Sequence, residues 1–400
     1  MAQDALSGRN VWLGIGKQAS FDLPVIPTKF FEVTDIGGIL EDYEFKKSDR
    51  RVGTRFKPLG FKSARKVPLN FTVEVNAENI GLLMTLGLGA DAVSAAGSAY
   101  QHAISLSENL PYFTALISTD LVADVDAADT LHQIANLKVI SLKLDGAVDD
   151  VLKCTIEAVG TTRVPAYVSK SGITCAGSAA ATTLTGFSSV TGIVAGQSVT
   201  GTGVGAAAKV VSVDRVAKSI VVSVANAGTV SSITVTSPTP TFPSTRSLYM
   251  KAEESQGKLE LGANVGGLAQ FDEGSEFHLS ISNGVAADMR INNTAYASSL
   301  REGDSEITGS LKLLYNRASF AEVQAFQAGT QRALRMTATS TELAATGQPY
   351  KVLFTADKVR YSGAPASWDP DAISLDGQYE VEKTTSYPTL VIINTDSAAY

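Results

Sequence analysis

Residues Val67–Gly89 read VPLNFTVEVNAENIGLLMTLGLG and set out a pattern that recurs later in the chain. The first residues alternate between apolar and polar side chains, which predicts a strand. The strand leads into an apolar segment with helical spacing that stops on glycine. A weaker copy follows at Ile307–Gly329, ITGSLKLLYNRASFAEVQAFQAG. Without any gap, the overlay pairs Asn76 with Asn316, Ile80 with Phe320, Leu83 with Val323 and Leu86 with Phe326.

Both copies carry an asparagine between strand and helix. Asparagine is a good helix N-cap because its side chain accepts amide hydrogens of the first turn, so Asn76 and Asn316 are the predicted caps. The apolar residues that follow are three apart and line one helix face, which we expect to cover the core. The shared cap and shared face favour an internal duplication. The alternative is chance, because strand–cap–helix patterns are common.

Composition predicts a β-rich protein of more than one domain. The chain has 400 residues, of which 44% are apolar and 18% charged, and Ala, Gly, Ser, Thr and Val are abundant. The net charge of −7 argues against a protein that grips nucleic-acid phosphates. An acidic protein can still lie beside DNA if DNA has to slide past it.

The residues that usually carry chemistry are sparse and scattered. Cys154 and Cys175 make no disulfide framework and favour a reducing compartment. Cys154 falls on the apolar side of a strand and is expected to be buried. The three histidines have no metal-spaced partners, and no nucleophile elbow is present. We therefore predict no enzyme activity, no cofactor and no metal. No signal peptide and no membrane span are predicted either.

A basic segment precedes the first strand–helix unit. Residues 46–61, KKSDRRVGTRFKPLGF, contain one acid and several turn residues, which predicts a projecting hairpin that we call the first finger. A solvated surface loop is the alternative. Against an acidic remainder, the first finger suits docking on an acidic neighbour. Residues 288–303, the second finger, hold the same position before the second unit. The predicted contact residues are Lys46, Lys47, Arg50, Arg51, Arg55, Lys57, Arg290 and Arg301.

The remaining patterns divide the chain. A strand pair is predicted at Asn136–Val159, a loop at Asp91–Ala99, and a terminal hairpin from Tyr379–Lys383 and Leu390–Ile393. From Ser169 the composition shifts to Ser, Thr, Gly, Ala and Val with short strands, which indicates a small β-sandwich or barrel. We predict a mainly β fold with a first β-sandwich or barrel module at 1–168, an inserted all-β domain at 169–240 and a second module at 241–400, each module carrying a flanking α-helix.

This arrangement resembles the tail tube proteins of bacteriophages with long non-contractile tails. The resemblance covers most of residues 10–168 and 241–400. It is carried by the opening strand NVWLGIG, by SDRR at 48–51, by the unit 67–89, by Leu110-Pro111, by the strand pair NLKVISLKLD/VLKCTIEAV and by the closing VIINTD. The insert is similar to small immunoglobulin-like or adhesin-like domains.

The resemblance implies a structural virion protein that polymerises into stacked rings, with six modules per ring and DNA passing through the lumen at ejection. Two tail-tube-type modules per chain then imply trimeric rings with pseudo-sixfold symmetry. Hexamers of single-module chains are the alternative. The implied partners are the chain itself, the tape measure protein and the tail terminator and tip proteins, with genomic DNA only in transit and no membrane. The implied location is the virion tail, assembled in the host cytoplasm.

Two other classes of function remain open from the residues alone. A secreted or cell-surface adhesin is suggested by the insert, although the lack of a signal peptide counts against it. A virion-associated hydrolase would need acids or a nucleophile converging in a cleft, and the sequence offers none.

Overall fold

The computed structural model describes residues 11–38, 45–46, 61–62, 65–118, 131–250, 257–290, 296–317, 319–363, 366–368, 373–384, 386 and 388–400. Strands dominate, and the described helices are two α-helices of nine residues and one short 3₁₀ turn at Val265–Gly267. Neither α-helix is long and apolar enough to cross a membrane. The prediction of a mainly β fold is confirmed.

The elements before residue 168 are β1 (Trp12–Lys17), β2 (Lys29–Gly37), β3 (Phe45–Lys46), β4 (Phe61–Lys62), β5 (Val67–Glu74), α1 (Ile80–Leu88), β6 (Gly89–Ala96), β7 (Ala99–Leu106), β8 (Phe113–Ser118), β9 (Leu131–Ala147), β10 (Lys153–Gly160) and β11 (Thr162–Ala166). The next six strands are β12 (Ser169–Gly177), β13 (Thr183–Leu184), β14 (Ser198–Thr200), β15 (Val210–Asp214), β16 (Ser219–Val222) and β17 (Val230–Thr236). The remaining elements are β18 (Gly257–Gly262), β19 (Ala269–Gln270), β20 (Gly274–Ser282), β21 (Ala286–Asp288), β22 (Ser299–Arg301), β23 (Glu306–Leu314), α2 (Phe320–Ala328), β24 (Arg332–Ala345), β25 (Gln348–Gly363), β26 (Ala366–Trp368), β27 (Ile373–Val381) and β28 (Thr389–Asn394).

Six strands of the first repeat (β1–β11) close into an antiparallel barrel. β1 pairs with β2, β2 with β5, β5 with β10, β10 with β9, β9 with β8, and β8 returns to β1. Alternating apolar residues of these strands fill the interior, as in β5, where every second residue is buried. Closure satisfies the backbone groups that an open sheet would leave at its edges.

The second repeat (β18–β28) follows the same strand order. β18 pairs with β24, β24 with β25, β25 with β27, β27 with β23, and β23 with β20. These are the counterparts of five of the six barrel pairings. The sixth, β1 with β2, has its counterpart in β18 with the short β19, because β19 and β20 are separate strands where the first repeat has the single strand β2.

Three register shifts occur at matching places in the two repeats. One lies between β2 and β5 and again between β20 and β23. The second lies between β10 and β9 and again between β27 and β25, and the third lies between β8 and β9 and again between β24 and β25. A β-bulge is a specific local feature that re-aims a strand. Three matching bulges in one strand order show that the two halves share one architecture.

The helices repeat the same relationship. α1 and α2 both contain nine residues, start 240 positions apart and end at glycines with positive φ, Gly89 and Gly329. The expected apolar face of α1 is confirmed, because Ile80, Leu83 and Leu86 are buried in the core. The face of α2 is less covered, since Phe320 is 44% exposed.

The prediction that Asn76 and Asn316 are the helix N-caps was wrong by three residues. The helices begin after Asn79 and Ser319, and neither of these side chains makes a capping hydrogen bond. Asn76 instead holds the preceding turn, where its side-chain oxygen accepts the amide of Glu78 at 2.9 Å. Asn316 accepts the amide of Ser319 at 3.1 Å in the same way. A short polar side chain that bonds its own backbone two or three residues on favours a turn over a helix start.

Two further expectations were wrong. The segment Asp91–Ala99 was expected to be a loop, but most of it lies in β6, which pairs with β7 along its whole length. Its small residues form a strand because β7 supplies the pairing. The expected hairpin of β27 and β28 does not form, since β27 pairs with β23, β25 and β26 whereas β28 pairs with β25 and β7. The β9–β10 strand pair and the burial of Cys154 are confirmed.

Among the described strands, two pairings join the repeats. β9 pairs with β20 from Ser141–Ser282 to Ala147–Glu276, and β7 pairs with β28 from Tyr100–Asn394 to Ser105–Thr389. The β9–β20 pairing creates one continuous sheet of eight strands in the order β2-β5-β10-β9-β20-β23-β27-β25, which we call the joined sheet. Four strands of each repeat contribute.

Residues 169–240 have a hydrophobic core of their own. Two three-stranded sheets, β12-β17-β14 and β13-β16-β15, pack around buried residues that include Leu184, Ile220 and Val235. The strand ends meet, because Ser169 faces Thr236. Val194 lies outside this core and packs on Trp12 and its neighbours in the first repeat.

Candidate assembly surfaces

The first finger is a hairpin at its base. β3 and β4 pair antiparallel, with Phe45 opposite Lys62 and Lys46 opposite Phe61. Lys46 therefore lies at the base of this hairpin. Lys47, Arg50, Arg51, Arg55 and Lys57 lie outside the described residues, so their role stays a prediction.

The second finger is a hairpin of β21 and β22. Arg290 is exposed, and Arg301 is exposed with its Nε 3.8 Å from Oδ1 of Asp288. An exposed pair at this distance adds little to stability. Both arginines are thus available to a partner.

The structure brings the two fingers together at their bases. Arg65, which follows β4, forms a parallel bridge with Tyr296, and the amide of Ala297 donates to the carbonyl of Arg65 at 3.2 Å. The Arg65 guanidinium lies 5.8 Å from the centre of the Tyr296 ring, within cation–π range. The two fingers, which are more than 200 residues apart in sequence, therefore emerge side by side.

A partly buried ion pair anchors the second finger, and no local pattern in the sequence predicts it. Glu302 forms an ion pair with Lys138 of β9, whose side chain is only 6% exposed. Glu302 also accepts the amide of Leu110 at 3.2 Å, and the Lys138 ammonium lies 4.2 Å from the centre of the Tyr112 ring. Such a pair resists removal of one partner, because the other charge is then left in a poorly solvated place. It fixes the base of the finger to the joined sheet.

Both ends of the joined sheet offer backbone edges. At one end, residues Val33–Gly37 of β2 pair with β5, and no described strand pairs with their other side. At the other end, β26 continues the line of β25 beside β27, and its outer side also lacks a partner among the described strands. An unpaired strand edge is a template for pairing with another chain.

The two open edges match each other through the repeat. β26 holds the place that residues 144–146 of β9 hold in the first repeat, since both pair with the strand that follows. Val33–Gly37 holds the place of the start of β20, with the same bulge against its neighbour. Within the chain, those counterparts pair as β9 and β20. The two open edges are therefore the counterparts of the two strand edges that pair with each other at the β9–β20 junction.

The side of the joined sheet opposite the core is polar and has an excess of acids. Among the registered positions of this side, exposed or half-buried carboxylates belong to Asp35, Glu74, Asp145, Glu157, Glu276, Glu306, Asp376 and Glu380. The exposed or half-buried bases there are Lys143, Lys153, Lys312 and Arg360. Carboxylates therefore outnumber bases on a surface that crosses both repeats.

In the part of the chain that the structure describes, no three His, Cys, Asp or Glu side chains are grouped to hold a metal ion. The fold therefore defines the class as a mainly β protein with a duplicated antiparallel module whose edges are open for strand pairing. The family model of the phage tail tube protein matches residues 8–382, and the chain belongs to that family. Comparison with curated proteins gives no match. The chain is thus a structural component of a virion tail, as its resemblance implied.

Proposed function

We propose that this chain polymerises into stacked rings that form the tail tube through which DNA is ejected. The observation that carries the proposal is the β9–β20 junction, in which one repeat already pairs with the next through seven residues of each strand. If β26 of one chain paired with β2 of the next in the same way, the joined sheets would close into a ring. Three chains would then supply six repeats.

The repeat also gives the register of that contact. Asp145 faces His278 within the chain, and the counterparts of these two positions are Ser367 and Gly37. We therefore expect Ser367 of one chain to face Gly37 of its neighbour. Facing residues in antiparallel strands are about 4.5–5.5 Å apart, which suits a disulfide between introduced cysteines.

The polar side of the joined sheet would face the lumen. Its excess of carboxylates would repel DNA phosphates and keep the passage free of tight binding. The two fingers, emerging together, would contact the next ring, and residues 169–240 would form a separate domain beside the tube. The same proposal includes contacts with tape measure, tail terminator and tip proteins, and assembly in the host cytoplasm.

Electron microscopy and mass measurement of the purified protein test the ring. We expect rings or tubes, and an isolated ring holding three chains of 41.9 kDa each. A ring of six chains would contradict the trimer. In the Ser367→Cys/Gly37→Cys variant, oxidation should link neighbouring chains. The matched control is Ser367→Cys/Asn70→Cys, because Asn70 lies one strand further from the edge.

Charge reversal tests the finger separately. Arg50→Glu, Arg51→Glu and Arg55→Glu together should leave rings intact and stop their stacking into tubes. The control reverses Lys170, Lys209 and Lys218, which lie in the 169–240 segment, and should stack normally. Normal tubes from the finger variant would remove the proposed role of the first finger.

A further inference from the structure

The chain that follows β28 folds back over the first repeat. Residues 395–400, which we call the strap, contact β7 and α1. The Tyr400 ring lies so close to Gly81 of α1 that a Cβ on this glycine would overlap the ring. The Tyr400 hydroxyl donates to Oδ2 of Asp396 at 2.7 Å and accepts the side-chain amide of Asn394 at 2.7 Å. The strap therefore holds the second repeat on the first, beside the β7–β28 pairing.

A buried histidine lies beneath the strap. The side chains of His102 on β7 and Asp91 on β6 are 0% and 1% exposed, and Nδ1 of His102 is 2.9 Å from Oδ2 of Asp91. Nε2 of His102 is 3.1 Å from the carbonyl oxygen of Asp396 in the strap. The Tyr400 ring covers the imidazole, with the two ring centres 4.6 Å apart. Each imidazole nitrogen thus contacts an oxygen, and one of these oxygens belongs to the strap.

These contacts require both nitrogens of His102 to carry hydrogen. The carbonyl oxygen of Asp396 can only accept, so Nε2 has to donate. Oδ2 of Asp91 already accepts the amide of Tyr400 at 3.0 Å, and as a carboxylate oxygen it accepts from Nδ1 as well. A neutral imidazole has one donor and would turn a lone pair toward one of the two oxygens. The closed strap therefore fits the imidazolium form of His102.

The charged groups around the imidazole come from several elements. Asp91 belongs to β6 and Asp396 to the strap. Lys29 of β2 binds the Asp396 carboxylate, with Nζ 2.6 Å from Oδ2, and Lys17 of β1 binds a main-chain oxygen of Tyr400. The Tyr400 phenol is neutral, because burial and its hydrogen bond to Asp396 raise its pKa. The helix α1 carries no charged residue.

These surroundings determine the pKa of His102. Burial opposes protonation, but the hydrogen bond and charge of Asp91, together with the carbonyl and charge of Asp396, outweigh it and raise the pKa. Because the folded-state pKa lies above the unfolded value of about 6.5, the stabilisation is fully present below that value. It is lost as pH rises through the folded pKa.

From the hydrogen-bond arrangement we propose that the strap is a pH-sensitive device, closed while His102 is protonated and loosened when His102 loses its proton. Deprotonation removes one of the two donors. It also leaves Asp91 without its counter-charge, although Oδ1 of this buried carboxylate has no hydrogen-bond partner among the described residues. Loosening frees Tyr400 from Gly81 and keeps the β7–β28 backbone pairing. The device lies within one chain, so it does not depend on the proposed ring.

A spin label reports the state of the strap directly. Ala399 is exposed, so Ala399→Cys can carry a nitroxide, and the native Cys154 and Cys175 are buried and stay unlabelled. The mobile fraction in the EPR spectrum should rise roughly threefold or more between pH 5.5 and pH 8.5. The control is Val216→Cys, which is 96% exposed and whose label mobility should not change. Equal mobile fractions at residue 399 at the two pH values would overturn the proposal.

Two variants in the Ala399→Cys background assign the effect to His102. His102→Gln cannot be charged, so the mobile fraction should be the same at both pH values. Asp91→Asn keeps the size of the side chain but removes the charge that holds the proton, so the transition should move to lower pH. A pH dependence that survives His102→Gln unchanged, or a transition that Asp91→Asn does not move, would overturn the role of this histidine.

Gly81→Ala opens the strap without touching the buried pair, and it supplies the test if a substitution of that pair prevents folding. Alanine favours a helix more than glycine does, so α1 itself is not weakened. The added methyl group takes the space of the Tyr400 ring. The label at residue 399 should then be mobile at both pH values while His102 is intact. A label that stays immobile at pH 5.5 would show that the Tyr400 contact does not hold the strap, and the proposal would fail.

Discussion

Asp145 on β9 and His278 on β20 face each other across the junction of the two repeats, with Oδ1 of Asp145 2.7 Å from Nδ1 of His278. Glu276 lies on the other side of the imidazole, with Oε2 3.5 Å from Nε2, and it is held by the ammonium of Lys312 at 2.7 Å. Partial burial opposes protonation of His278, but the hydrogen bonds and charges of Asp145 and Glu276 outweigh it and raise its pKa. His278 therefore stabilises the junction most when its imidazole is protonated.

That pKa shift sets a pH dependence. Because the folded-state pKa lies above the unfolded value of about 6.5, the stabilisation is fully present below that value and is lost as pH rises through the folded pKa. We expect His278→Gln to lower Tm more at pH 5.5 than at pH 8.5. The comparison is made against wild type at each pH, so that contributions from other histidines cancel. An equal Tm difference at the two pH values would contradict this reading of the junction.

Asp145→Asn supplies the matched variant for the same pair. It keeps the size of the side chain but removes the charge, so the pKa of His278 should fall relative to wild type. Titration of the His278 ring by NMR measures this directly. A pKa that does not move would show that Asp145 is not the group that holds the proton.

The ion pair between Lys138 and Glu302 should be strongly coupled. Lys138→Met leaves the Glu302 carboxylate with only part of its partners, and we expect the free energy of unfolding to fall by about 2–3 kcal/mol. The double variant Lys138→Met/Glu302→Gln should lose less than the sum of the single variants, with a coupling of about 1–3 kcal/mol in urea denaturation.

An exposed ion pair provides the comparison. Nζ of Lys153 lies 3.1 Å from Oδ2 of Asp150, and the two side chains are 42% and 51% exposed. A double-mutant cycle on this pair should give a coupling energy near zero. Similar couplings for the two pairs would mean that burial does not control the first one.

The two asparagines of the repeated units should differ in their effect on stability. Asn76 is buried and bonds both its own turn and Thr245, in the segment 243–250 that leads into the second repeat, whereas Asn316 is half-buried. We expect Asn76→Ala to lower the free energy of unfolding by about 2–3 kcal/mol and Asn316→Ala by about 1 kcal/mol. Urea denaturation of both variants checks this, and equal losses would contradict the greater effect expected of the more buried asparagine.

Local sequence patterns correctly predicted some of the elements. The alternation of Val67–Glu74 predicted β5, and the spacing of Ile80, Leu83 and Leu86 predicted the buried face of α1. The same kind of signal predicted the β9–β10 strand pair, because its strands are adjacent in sequence. The 240-residue offset between the two strand–helix units predicted a duplication before any strand partner was known.

Partners distant in sequence left no such signal. Alternation in Leu390–Ile393 predicted a strand but assigned it to β27, whereas its partners are β25 and β7. Asp91–Ala99 was expected to be a loop because its residues are small, and the strand that it mostly forms depends on pairing with β7. The Glu302–Lys138 pair joins residues 164 positions apart, so neither residue type in its local sequence pointed to the other.

Removal of residues 169–240 should leave a folded and assembling chain. Ser169 and Thr236 face each other, so a short Gly-Ser linker can close the gap. The deletion uncovers the patch on which Val194 packs, which includes Trp12, Phe30 and Leu116. We therefore expect rings of lower solubility and a loss of about 1–2 kcal/mol in the free energy of unfolding. A product with no cooperative unfolding transition would show that 169–240 is not a separable domain.

A glycine and a tyrosine replace a leucine and an alanine at one matching site in the two repeats. In the first repeat Leu69 faces Ala158, and at the corresponding place in the second repeat Gly309 faces Tyr379. The Tyr379 ring lies over Gly309, and its hydroxyl donates to the carbonyl of His278 at 2.9 Å. The large side chain has moved from one strand to the next, so the volume of the pair is conserved while its position changes.

This exchange makes Gly309 intolerant of any side chain. A Cβ at this position would lie well inside van der Waals contact with both the His278 carbonyl oxygen and the Tyr379 ring, and the carbonyl belongs to backbone that the junction holds in place. We expect Gly309→Ala to lower the free energy of unfolding by about 2–3 kcal/mol, as overpacking of a core does. Gly37→Ala is the control, because a Cβ there meets nothing within 4 Å, and it should change stability by less than about 0.5 kcal/mol. If urea denaturation gave the same midpoint for both variants, the Tyr379 ring would have room to move, and the glycine would not be required by the packing.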